Sequence, residues 1–171
     1  MATGDLLFVF EPQNNEPPST NYATADWFAA ATGVRPVLDF EGSNGSADEV
    51  AIFSAVWPTN YAGGGVNVVV HYSTDGTSVG AVQWEVSIEV LQDADDQDAA
   101  GQDFGTATDI TDTPSTATAN ILDITAVGAI THANCGSPAV GDGMRFKIAR
   151  DFDHATNADD AQLHKVVITE V

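Results

Sequence analysis

Between Ala81 and Leu91 the chain reads AVQWEVSIEVL. Val82, Trp84, Val86, Ile88 and Val90 take one parity, and Gln83, Glu85, Ser87 and Glu89 take the other. Successive side chains of an extended strand point to opposite faces, so this run is a strand with one face in a core and one in water. Gly143–Arg150 repeats the pattern, with Met144, Phe146 and Ile148 set against Arg145, Lys147 and Ala149. Val66–Ser73 reads VNVVVHYS and places Val66, Val68, Val70 and Tyr72 on one face. Asp75-Gly76 lies between that run and the one at Ala81, which predicts a hairpin.

Further strands are expected at Asp5–Phe10, Pro36–Phe40 and Val50–Trp57, near Phe104–Ile110 and Asn120–Val127, and at Leu163–Val171. Eight or nine short strands separated by Gly, Pro, Asn and Asp make an all-β sandwich or barrel. Thr24–Thr32 is expected to form one short helix, capped by Asp26 and ended by Gly33. Glu11–Tyr22, EPQNNEPPSTNY, carries three prolines and is expected to be an extended arm, since proline cannot donate to a ladder. At 171 residues the chain fits a single domain, with arm and helix over 11–34 and a sandwich body over 35–171. A chain of this mass folds to roughly 8,000 Å² of surface, enough burial for a core without disulfides or metals.

Charge excludes several partners. Five Lys and Arg stand against 25 Asp and Glu, a net charge of −20. A nucleic-acid binder needs a basic footprint, and anionic membranes repel an acidic surface, so neither partner is expected. The one basic cluster in sequence is Arg145, Lys147 and Arg150. Cys135 has no intramolecular partner and reads as a spare thiol in a loop. No basic segment followed by an apolar run opens the chain, and no 18-residue apolar stretch occurs, so neither a signal peptide nor a transmembrane helix is expected.

Chemistry-bearing motifs are few. Asp93, Asp95, Asp96 and Asp98 alternate in an acidic loop, but the EF-hand pattern fails because Asp98 stands where glycine is required. A second acidic loop holds Asp151, Asp153, Asn157, Asp159 and Asp160. Both are read as solvated loops, with Ca²⁺ as the lesser reading and no metal assigned. His71, His132, His154 and His164 lack zinc-ligand spacing. No nucleophile elbow, P-loop or dinucleotide fingerprint is present, and Gly63–Gly65 is a turn. No catalytic residue and no cofactor is assigned, and the chain is not expected to be an enzyme. Trp27, Trp57, Tyr22 and Tyr61 lie in or beside loops, where exposed rings stack on sugars; Trp57 and Tyr61 are read instead as closing one end of the core.

An ordered set of segments adds a resemblance. They are NNEPPSTNYAT at Asn14–Thr24, RPVLDF at Arg35–Phe40, AIFSAVWPTNYAGGGVNVVVHYS at Ala51–Ser73, VQWEVSIEVL at Val82–Leu91 and VGDGMRFKIARDFDHATNADDAQL at Val140–Leu163. Together with the terminal strand they resemble small, acidic, jelly-roll-like virion proteins of tailed phages and prophages. The resemblance covers most of the chain, and its motifs are turns and strand edges. It implies a jelly-roll-like antiparallel β-sandwich acting as a capsid decoration (cement) protein. Such a protein sits on the outer capsid surface, is assembled in the host cytoplasm, binds the major capsid protein and forms a homotrimer. The contact elements expected on that reading are Asn14, Asn15, Pro17, Pro18 and Tyr22 of the arm, with Arg145 and Lys147. The alternative is a carbohydrate-binding, lectin-like module of a phage tail or fibre, with Trp57 and Tyr61 exposed in a shallow groove.

Overall fold

A computed structural model of the chain describes residues 4–30, 33–43, 45–96 and 103–171. Eleven strands are formed: β1 (Leu6–Phe10), β2 (Thr24–Ala30), β3 (Gly33–Phe40), β4 (Glu49–Val56), β5 (Val66–Thr74), β6 (Val82–Leu91), β7 (Thr108–Asp112), β8 (Asp123–Ile124), β9 (Gly128–Ile130), β10 (Gly143–Arg150) and β11 (Ala161–Glu170). They build a seven-stranded sheet in the order β2-β3-β11-β5-β8, with β1 on β11 and β9 on β5, and a four-stranded sheet in the order β4-β10-β6-β7. Every ladder between these strands is antiparallel. With β8 and β9 sharing one edge position, β3 to β11 supply eight positions in two four-position sheets, and the chain passes between them in jelly-roll order. β1 and β2 are additions to that plan.

Alternation puts the core between the sheets. Val66, Val68, Val70 and Tyr72 of β5 face Val82, Trp84, Val86 and Ile88 of β6, all at 1 % exposure or less. Phe40 and Tyr72 meet Trp84 edge-on, with ring centroids 5.2 and 5.8 Å away. At the other end Phe10 stacks on Phe53 and Phe146 at 5.1 and 5.6 Å, and Phe8 meets Trp57 at 5.5 Å. Each such ring contributes about 1.5–3 kcal/mol by leaving water. The folded surface, 8185 Å², agrees with the value expected for the mass.

Two expectations are corrected. β5 and β6 do not form a hairpin, because they lie in opposite sheets. The segment between them carries the chain across the sandwich and is held by the 151–160 loop: Thr156 Oγ1 accepts from the Ala81 N–H at 2.8 Å, and Asn157 donates to Ser78 and Gly80 carbonyls. A Cβ on Gly80 would run into the Thr156 carbonyl, so the approach requires glycine. The expected helix at Thr24–Thr32 is strand β2 over its described part, zipped to β3 from Thr24↔Asp39 to Ala30↔Gly33; Ala31 and Thr32 lie outside the described residues. A seven-pair ladder outweighs a weak local preference. Among the described residues the helical element is a single 3-10 turn, Pro12–Asn14, and no helix is long and apolar enough to cross a membrane.

The arm packs along the exposed edge of β4. Glu16 N–H donates to the Ile52 carbonyl at 2.7 Å, Asn15 Oδ1 accepts from Ile52 N–H at 3.0 Å, and Ala23 N–H donates to the Val50 carbonyl at 3.0 Å. The arm therefore covers an edge that would otherwise template aggregation.

Phe146→Ala tests the packing. With its ring fully buried between Phe10 and both sheets, the variant is expected to lose about 3–5 kcal/mol, read as a lower denaturant midpoint at unchanged slope.

Candidate functional site: a groove on the outer face of the larger sheet

The groove begins with one extra residue in β11. Leu163 pairs with Tyr72 and Lys165 with His71, so the register shifts at His164. Leu163 and Val166 both point into the core, with two residues between them where alternation allows one. Such a bulge interrupts the ladder and re-aims its side chains. At the same place the neighbour of β11 changes. β3 pairs with Ala161–Leu163, and β1 takes the same edge from Val166 to Thr169. The gap between β3 and β1 opens a cleft of about 450 Å³.

Its floor is His164, Lys165 and His71. Phe28 of β2 with Arg35 and Pro36 of β3 form one wall, Glu11–Gln13 after β1 the second, and Asn120 with Leu122 before β8 the third. Phe28 and Arg35 are directly paired across β2 and β3, so both side chains rise from one face. The Phe28 ring lies edge-on to His164, centroids 5.8 Å apart. His164 is fixed from beneath, its Nε2 2.9 Å from the Ser73 hydroxyl, which donates to Gln162 at 3.1 Å. Asn120 takes a left-handed conformation, φ +66°, that asparagine tolerates, and its N–H donates to the Thr74 carbonyl at 2.7 Å.

Electrostatics sets the groove apart. Burial, then Arg35, His71 and Lys165, hold the His164 pKa below its ordinary value. Burial, then Lys165, lower that of His71. Glu11 is the carboxylate in the lining. Asp26 and Asp39 share the outward parity of Phe28 and Arg35 further along the same hairpin. Asp39 is pushed up to about 7 by burial, then by Asp160, Asp75, Asp26 and Glu49.

The residues expected to make contacts from the sequence lie elsewhere and are not gathered. Asn14 and Pro17 are exposed, Asn15 and Pro18 are half-buried, and Tyr22 is exposed; of these Asn15 bonds Ile52 and Tyr22 bridges to Val50 on the β4 edge, while Asn14 ends the 3-10 turn. Arg145 is paired with Glu89 at 2.8 Å and, like Lys147, lies over the Phe104 ring, at 5.2 and 5.0 Å from its centroid. Arg150 does not join them. It is buried and donates to the carbonyls of Phe40, Asn157 and Asp159 at 2.8 to 3.0 Å. Trp57 and Tyr61 are 1 % and 4 % exposed, so the shallow groove expected at them on the lectin-like alternative is absent, and they close the core instead.

The 151–160 carboxylates serve the backbone. Asp159 accepts from Ser78 N–H and Asp160 from Gly42 N–H, while Asp151 takes His154 Nδ1 at 2.6 Å. Of the first acidic loop, Asp98 lies outside the described residues. Among the described residues no group of three His, Cys, Asp or Glu is placed to hold a metal ion. The Cys135 thiol is buried and pushed up to about 12, which leaves it unreactive.

No protein-family model and no curated protein matches the chain. Among solved structures, it is similar to a CBM22-1 xylan-binding domain from Paenibacillus barcinonensis, at 13 % identity and TM-score 0.47, over 100 % of this chain and 97 % of that one. It is similar to an exo-β-1,3-galactanase from Phanerochaete chrysosporium with galactose, at 13 % identity and TM-score 0.49, over 98 % of this chain. A third match is the CBM22-1 and GH10 modules of a Clostridium thermocellum endo-1,4-β-D-xylanase with xylohexaose, at 15 % identity and TM-score 0.49, over 100 % of this chain. The chain spans 30 % of the galactanase and 29 % of the xylanase. These likenesses are of fold.

Asp39 gives a pH test. Its folded pKa is about 7 against 3.8 for the free side chain. Between those values the unfolded chain gives up the proton while the folded chain holds it, so this group's effect on stability grows less favourable as pH rises from about 4 to about 7. Asp39→Asn removes the effect. The Tm difference from the parent is expected near zero at pH 4 and about 2–4 °C in favour of the variant at pH 8, by scanning calorimetry.

Proposed function

We propose that this chain is a non-catalytic carbohydrate-binding domain that takes a saccharide in the groove beside the β11 bulge. One observation carries the reading: the half-buried ring of Phe28 lines the groove next to His164, with hydrogen-bonding side chains on every wall. A pyranose has an apolar C–H face and a rim of hydroxyls, so it suits a ring flanked by Gln13, Arg35, Asn120 and Lys165. The groove volume falls within the range of about 300–1,000 Å³ usual for small-molecule sites. Glycoside hydrolysis by the common route needs two carboxylates across the scissile bond, and Glu11 stands alone in the lining. Phe28→Ala is expected to weaken binding to a retained oligosaccharide at least tenfold by isothermal titration, while the half-buried ring's loss lowers Tm by only a few degrees and leaves the variant folded. Undiminished binding by that variant contradicts the reading.

A different observation favours a second reading, a subunit of a larger assembly such as a decorated phage head. Trp27 and Val34 are 62 % and 64 % exposed on the opposite face of the β2–β3 hairpin, where it runs past the core. Two large apolar side chains in water are a starting point for a protein contact. On this reading light scattering gives a mass three times 17.8 kDa, and Trp27→Ser lowers it to one chain with the fold intact. A monomeric parent contradicts the trimer.

A further inference from the structure

We propose that the groove selects an acidic saccharide, one bearing a carboxylate or sulfate group, which Arg35 and Lys165 receive. The inference deepens the carbohydrate-binding reading and rests on it.

In a chain with 25 carboxylates and five Lys and Arg, a groove formed without selection would be lined by acids. This one brings together Arg35, Lys165, His71 and His164 against the single carboxylate Glu11. The other three cations are engaged: Arg145 with Glu89, Lys147 over Phe104, and Arg150 on three carbonyls. Arg35 and Lys165 have no carboxylate within 4.0 Å among the described residues, although the chain has acids in fivefold excess.

Two unpaired cations on one wall and floor repel each other and the protonated forms of both histidines. Burial first, and then that repulsion, holds His164 below its ordinary pKa. Groups held in unfavourable electrostatic surroundings inside a cleft mark functional sites. An anion entering the groove removes the repulsion. The Arg35 guanidinium is suited to a two-pronged hydrogen bond with a carboxylate or sulfate, and the Lys165 ammonium supplies a second charge from the floor. Phe28 stays available to the apolar face of the same sugar.

Isothermal titration with three tetrasaccharides of one ring type separates the possibilities: tetragalacturonate, a sulfated tetragalactose and neutral tetragalactose. At least one acidic probe is expected to bind ten times more tightly than the neutral one, and the preference is expected to shrink between 20 and 200 mM NaCl. The better acidic probe identifies carboxylate or sulfate as the group read. Arg35→Gln and Lys165→Gln are each expected to cost about tenfold toward the acidic probe and little toward tetragalactose, while Arg35→Lys keeps most of the preference. Equal binding of acidic and neutral probes overturns this inference and leaves the saccharide reading standing. Binding of none of the three overturns both.

Discussion

One residue too many in β11 shapes the outer face of the larger sheet. Strict alternation would send His164 outward, Lys165 inward and Val166 outward. The bulge lets Leu163 and Val166 both reach the core, leaving His164 and Lys165 between them. It also marks where β3 leaves β11 and β1 arrives, so the edge of β11 has no strand partner for one step. A flat sheet becomes a floor with walls. The rest of the sandwich holds that break open: β5 pairs along the far side of β11, and Ser73 beneath it fixes His164.

Charge is distributed unevenly over this frame. Arg150 is buried at one end of the sandwich, on carbonyls of β3 and the 151–160 loop, where Asp39, Asp75, Asp159 and Asp160 surround it and favour its charged form against burial. Breaking a buried charged group away from such partners is expensive, so Arg150 ties loop to sheet. Arg145 and Lys147 face outward on the smaller sheet and are covered by Phe104. Arg35 and Lys165 are left, and the topology places both at the bulge. An acidic surface with one local basic groove disfavours anionic polymers over most of the molecule and admits an anionic group at one point.

Much of the fold was legible in the chain because alternation is a local signal. AVQWEVSIEVL and GMRFKIAR became β6 and β10, paired with each other in the register their apolar faces require. The crossing between β5 and β6 was hidden because Asp75-Gly76 is a good turn whichever sheet follows. β2 was hidden because TADWFAA has neither clean period. The groove was hardly legible, since it gathers residues from β2, β3, β5 and β11. Its trace in the sequence is small: in LHKVV two polar residues separate Leu163 from Val166, where a regular strand has one. Arg145 and Lys147 stood out by being two residues apart in the chain, whereas Arg35 and Lys165 come to one groove only through folding.

The central claim is that the outer face of the larger sheet at the β11 bulge is where ligand binds. Amide chemical-shift mapping during titration with tetragalacturonate tests it most directly. The account predicts shifts concentrated at Phe28, Arg35, His71, His164 and Lys165, with β4, β10 and the Trp27 face of the hairpin undisturbed. Shifts that instead cluster along the arm and β4, or around Trp27 and Val34, would contradict it.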